Sequence, residues 1–268
     1  MAKLGSNFDF TGSLGPVSAY KMRGVEGTVL RRKGGASKEK IKTSPRMEGT
    51  RRGNSEFGGR ATAGKWIRLL LHRQTPMADY NVTGAINALM MPIQKLDTVH
   101  PLGQRDVAIS KNPWLLEGFS LNKEKGFDSF VRNPLTWSVS RESLSARIEL
   151  PALLPGINLL AADKYPMYSI VASLGIVPDF FYAPHGFQPS SREYSQGNPG
   201  VFSDVNTDWY PTLQGSPAMP LELKLSGTPP DQSFSLLLSI GIRFGVMINA
   251  NTVQQVKHEG AAKILGMG

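Results

Sequence analysis

The sequence predicts an α+β protein, mainly β: an N-terminal β-hairpin and two helices followed by an antiparallel β-sandwich. Three observations predict it. Glycine and proline punctuate short extended runs near the N-terminus, apolar residues recur at helical spacing between residues 61 and 96, and the chain after residue 100 alternates with period two. With 268 residues, 40% of them hydrophobic, there is enough chain and enough apolar surface for one large or two small packed domains. The expected division is 1–100, a basic hairpin or arm with a helical pair, and 101–268, an antiparallel β-sandwich carrying a long 183–220 loop.

Residues 10–33 read as the hairpin. Val17, Ala19 and Met22 are extended after Gly15-Pro16, Gly24 and Gly27 bracket a turn, and Thr28 to Leu30 resume a β-favouring run. Gly34 to Gly53 has almost nothing apolar and is expected as an exposed loop or arm. A first helix is expected from Ala61, with Ala63, Trp66, Ile67 and Leu70 on its docking face and Lys65, Arg68 and His72 outward. A second has Asp79 as N-cap and an apolar stripe from Val82 to Leu96, with a kink or break near Met91 because Pro92 lacks an N–H, and with Met90 and Met91 as core filler.

Further on, Leu135, Trp137 and Val139 fall on odd positions and Leu144, Ala146, Ile148 and Leu150 on even ones, so a turn or bulge belongs at 140–143. Pro166 to Tyr182 reads as a strand pair or one long bent strand. Residues 183–220, rich in Pro, Gly and Ser, read as loop, and Leu221, Leu223 and Leu225 alternate beyond it. From Phe234 to Ile248 every even position is apolar; a strand that long approaches ~50 Å and is expected to bend at Gly241 or Gly245 and serve two sheets. The absence of crossover helices after residue 130 favours antiparallel sheets, and the two preceding helices argue against a membrane barrel.

Charge is unevenly spread. Residues 1–75 hold 16 Lys and Arg against 5 Asp and Glu, and residues 76–268 hold 14 against 16, so the net +9 is +11 in the first segment and −2 in the rest. Arg31, Arg32, Lys33, Arg51, Arg52, Lys65 and Arg68 are the candidate contacts to phosphate or to an acidic protein surface. The alternative is a solvated basic face. Two surfaces of opposite sign also admit head-to-tail self-association.

Chemistry is sparse. With no cysteine, disulfide scaffolds, thiol catalysis and Cys-based zinc or iron–sulfur sites are excluded. No G-x-S-x-G elbow, Walker loop, H-E-x-x-H or EF-hand loop occurs. His72, His100, His185 and His258 read as surface or turn residues, with His258-Glu259 the one pairing noted, so no metal and no cofactor is expected. Asp204, Asp208 and Trp209 form a possible carbohydrate- or cation-binding loop, against ordinary turn chemistry.

The segments G-S-L-G-P-V-S-A-Y-K-M-R-G at 12–24, V-L-R-R-K at 29–33, T-R-R-G-N-S-E-F-G at 50–58 and G-I-R-F at 241–244 resemble a family of hypothetical proteins of Bacteroidota. In that family a G-x-x-G-x-V-x-x-Y hairpin precedes a V-x-R strand, and the G-I-R-F segment lies in the last strand. The resemblance implies a bacterial, cytoplasmic setting and carries over no catalytic or ligand residue. Met1 to Phe10 lacks the apolar core of a secretory signal, in keeping with a cytoplasmic expectation and no membrane partner.

Three functions are open at this point. The favoured one is a non-enzymatic structural protein that forms homo-oligomers through its basic N-terminal arm and long loop. The others are a sequence-nonspecific nucleic-acid-binding protein and a carbohydrate- or ligand-binding module.

Overall fold

A computed structural model describes residues 2–3, 10–22, 25–161, 164–194 and 199–268. The fold is α+β and mainly β, and its named strands pair antiparallel. The chain divides into Met1–Arg51 and Arg52–Gly268, not at residue 100.

In the first unit β1 (Ala2–Lys3), β2 (Gly12–Leu14), β3 (Val17–Lys21) and β4 (Thr28–Arg32) form a sheet in the order β1-β4-β3-β2. The expected hairpin is the β3–β4 pair, with Val17 opposite Arg32 and Lys21 opposite Thr28. Gly27 takes a left-handed φ of 84° at its turn; Gly24 lies outside the described residues. The segment expected as an arm from Gly34 contains helix α1 (Lys38–Thr43). Ser37 supplies the cap by accepting from Lys40 N–H, and Glu39 and Lys42 suit the two ends of the helix dipole, so capping makes a helix where burial does not.

Helix α2 spans Glu48–Leu70, starting 13 residues before Ala61. Its first half is glycine-rich and lacks an apolar stripe, which is why periodicity misses it. Tertiary contacts hold that half instead. Glu56 takes a two-pronged bond from Arg105 (2.6 and 2.8 Å), Ser55 donates to Gly103 O, and the Phe187 ring lies so close to Gly59 that a Cβ there would sit 2.8 Å from it. Helix α3 (Thr83–Lys95) packs on α2, with Arg68 donating to Asn87 and Arg60 to Gln94.

Asp79 is not the N-cap of α3. Asn81 accepts from Thr83 N–H, while Asp79 accepts from the backbone of Lys123 and Glu124. Pro92 lies inside α3, which continues to Lys95, so of the expected kink or break the break does not occur. Met90 is fully buried, but Met91 is exposed and fills no core.

The centre of the second unit is a five-stranded sheet. Its strands are β7 (Met167–Pro178), β10 (Phe202–Asn206), β11 (Tyr210–Pro211), β13 (Phe234–Asn249) and β14 (Thr252–Met267), in the order β10-β7-β13-β14 with β11 also on β7. Strands β5 (Thr136–Ser140), β6 (Ser145–Leu150) and β12 (Met219–Lys224) form a second sheet that packs on it, Trp137 lying over Gly266 and Val139 against Gly268. The turn at 141–144 lies where the phase of alternation shifts. A short helix α4 (Phe127–Phe130) adds Phe130 to this layer, 5.3 Å from Phe244. Strands β8 (Phe180–Ala183) and β9 (Gly186–Pro189) make a separate hairpin.

The polar face of β13 is not a solvent face. Ser235 and Ser239 are buried, as are Ser169 and Ser173 on β7, because this side of the sheet receives α2 and the turn after it. Trp66 Nε1 donates to Ile176 O at 2.7 Å, Gln74 donates to Ser173 Oγ at 2.8 Å, and Leu70 and Met77 lie against Gly175 and Gly241. Small residues on the strand let the helix approach closely. The two helices therefore belong with the sheets, which is why the division lies at Arg51.

Three further expectations are corrected. Strand β13 stays in one sheet, between β7 and β14, with register irregularities near Leu238, Arg243 and Met247 in place of a bend into a second sheet. The last strand is β14, whose run of Gln, Lys, His and Glu hides it from pattern reading. The 183–220 stretch is not one loop: it holds β9, β10, β11 and the start of β12, short strands whose hydrogen bonds come from neighbours.

Candidate functional site

The clearest constellation of chemical groups lies just past the C-terminus of α3. Asp97 Oδ1 accepts from the N–H groups of Val99 (3.0 Å) and His100 (3.2 Å), an Asx-type turn that brings His100 back over the carboxylate. Asp97 Oδ2 accepts from Asp106 N–H (2.8 Å) and lies 2.8 Å from His100 Nδ1. Asp106 Oδ1 accepts from Tyr182 N–H on β8 (2.8 Å), and its Oδ2 is 3.6 Å from His100 Nδ1. Helix, loop and hairpin thus converge on one imidazole.

Burial pushes the Asp97 carboxyl up, but the N–H groups of Asp106, His100 and Val99 and the imidazole outweigh it and hold its pKa down to about 2. The same hydrogen bond to Asp97 pushes the His100 pKa up, against burial and the nearby charge of Lys111. Beside the cluster opens a cavity of about 440 Å³, with apolar walls from Ile93, Leu96 and Phe181 and polar ones from Lys111 and Asn112. That volume is in the range of small-ligand pockets.

His100 is an exposed turn residue as expected, but the expectation that it has no carboxylate partner is corrected by this geometry. A carboxylate three residues before it was the available signal, in the D-x-x-H of Asp97 to His100. Asp106 carried none, since its place beside His100 depends on the β8 backbone.

The seven basic candidates fall in both units. Arg31, Arg32 and Lys33 are exposed at the end of β4, but Arg51 is spent on the C-terminal carbonyls of the α1 segment, donating to Ile41 O (2.9 Å) and Ser44 O (2.8 Å). In the second unit Arg52 and Lys65 are exposed, whereas Arg68 donates to Asn87 Oδ1 at 3.0 Å and burial lowers its pKa. Arg51 and Arg68 therefore have hydrogen-bond partners within the protein.

Asp204, Asp208 and Trp209 are also separated in role. Asp204, on β10, pairs with Arg73 at 3.2 Å. Trp209 lies under the Arg243 guanidinium, 4.8 Å from ring centre, with Arg243 donating to Ser169 Oγ. Burial, and then the charge of Arg73, push the Arg243 pKa down, with Asp204 opposing. Asp208 is exposed, and its backbone carbonyl accepts from Thr207. The three side chains thus have different neighbours: Asp204 is paired with Arg73, Trp209 is covered by Arg243, and Asp208 is exposed.

Comparison with protein families, curated proteins and solved structures finds no match. Among the described residues no helix is long and apolar enough to cross a membrane.

Two other buried acids are structural. Glu56 is held below its usual value by the Arg105 hydrogen bond, against burial. Asp179 is pushed up by burial, although Ser110 donates to it through both N–H (2.8 Å) and hydroxyl.

Proposed function

We propose that this protein is a structural, non-enzymatic component that assembles with copies of itself. The observation that carries this reading is the end of the β13–β14 ribbon. Strand β7 accompanies β13 only as far as Gly245, opposite Met167, after which β13 and β14 pair with each other to the turn at Asn249–Thr252. There Val246, Met247 and Ile248 are 36%, 52% and 61% exposed, three adjacent apolar residues on both faces of a two-stranded ribbon. Isolated exposed apolar side chains are ordinary, but a contiguous set on a ribbon of this kind is costly to leave in water and suits a protein contact.

Charge does not supply the attraction. With the division at Arg51 the first unit holds 11 basic and 4 acidic residues, net +7, and the second 19 and 17, net +2, so the units do not oppose one another in sign. Light scattering on the full chain across micromolar concentrations is expected to give masses above the 29.2 kDa of one chain, and Met247→Glu with Ile248→Glu to return it to that mass. A monomer throughout would end the proposal.

The +7 of Met1–Arg51 supports a second reading, with nucleic acid as partner through Arg31, Arg32 and Lys33. A 260/280 absorbance ratio that falls on a salt wash, and less so in the triple Ala variant, would favour it; protein that carries no nucleic acid at low salt would count against it.

A further inference from the structure

We propose that Asp97, His100 and Asp106 bind a divalent ion of the zinc class, with its open coordination positions facing the adjoining cavity. The inference is independent of self-assembly and assigns a ligand to the constellation described above.

Geometry carries it. One donor atom from each of the three residues lies within 4.8 Å of the others. An ion about 2.1 Å from each donor separates neighbouring donors by about 3.0 Å in octahedral and about 3.4 Å in tetrahedral coordination. His100 Nδ1 is 2.8 Å from Asp97 Oδ2 and 3.6 Å from Asp106 Oδ2, values that bracket this range. Small rotations of side chains already in place complete the set, and the ion takes the position of the Nδ1 proton, which passes to solvent from an imidazolium or to Nε2 by way of solvent from a neutral ring.

The supporting shell is also present. Backbone N–H groups of Val99 and His100 fix Asp97 Oδ1, that of Asp106 fixes Asp97 Oδ2, and Tyr182 N–H fixes Asp106 Oδ1, so that both Oδ2 atoms are turned to the imidazole and Asp97 Oδ2 keeps a second lone pair for the ion. One imidazole with two carboxylates suits Zn²⁺ or Mn²⁺ better than an all-oxygen preference such as Ca²⁺, and the two negative charges match the ion. Three protein ligands beside a cavity of about 440 Å³ leave room for water or a small co-ligand. Lys111 on the cavity wall suits that co-ligand being an anion and weakens binding of the bare ion.

The test is calorimetric titration of chelator-treated full-length protein with ZnCl₂, repeated with CoCl₂ for its visible absorption. One ion per chain is expected, with Co²⁺ bands of a mixed nitrogen–oxygen site, and His100→Ala and Asp106→Asn are each expected to weaken binding by at least about tenfold. His100 is exposed, so its replacement leaves the core intact, and a far-UV spectrum matching the parent confirms this for both variants. Absence of stoichiometric binding, or binding of equal strength in folded His100→Ala, would overturn the proposal, the latter by assigning the ion to His72, His185 or His258.

Discussion

The contact between Leu70 and Gly175 is where the seating of α2 on the sheet can be measured. A Cβ at Gly175 would sit 2.5 Å from Leu70 Cδ2 and 2.9 Å from Cδ1, with Leu70 itself buried. Gly175→Ala therefore overpacks the interface and should cost about 1–2 kcal/mol, the strain of an added methyl less the gain from replacing a strand glycine. Leu70→Ala empties the same space and should cost about 2–5 kcal/mol. In the double variant the new methyl occupies part of the vacated volume, so the combined loss should fall short of the sum by about 1–2 kcal/mol. Urea denaturation of the four proteins, followed by circular dichroism, gives all three quantities. Additive losses within about 0.5 kcal/mol would refute the close approach of helix and strand.

Other outcomes follow from buried polar contacts. Glu56→Gln should cost about 2 kcal/mol at neutral pH by leaving Arg105 without its carboxylate. Since the folded pKa of Glu56 is depressed, its contribution is present above the ordinary 4.5 and lost as pH falls through the folded value, so parent and variant stabilities should converge in acid urea titrations. Asn122 joins three segments, donating to Met77 O and Gly260 O and accepting from Ala262 N–H; Asn122→Ala should lower stability by about 3 kcal/mol in the same assay. Trp66→Phe keeps an aromatic ring but orphans Ile176 O, and should cost about 1–2 kcal/mol without changing the cooperativity of the melt.

What pattern reading recovers is local and periodic. The buried face of α2 at Ala63, Trp66, Ile67 and Leu70 and the β5–β6 pair were legible because side chains three or four apart, or two apart, share a face by covalent geometry alone. It fails where long-range partners supply the stabilisation. The first half of α2 depends on Arg105 and Phe187, β10 and β11 depend on β7, and β14 is a strand because β13 lies beside it. At the candidate site, Asp97 and His100 were adjacent in sequence logic, but Asp106 joins them only because Tyr182 N–H and Asp97 Oδ2 both hold it.

The sequence by itself determined the α+β class, the antiparallel sheets, the absence of thiol chemistry and the basic N-terminal charge, since composition and local periodicity are properties of the chain. Only the tertiary structure decided that the serine and glycine face of β13 is an interior surface for a helix, that the stretch after the basic hairpin contains a capped helix, and that two carboxylates separated in sequence meet at one imidazole. Hydrogen bonds and close packing between distant segments are chosen by the whole fold, because each is worth making only once the chain has brought its partner near.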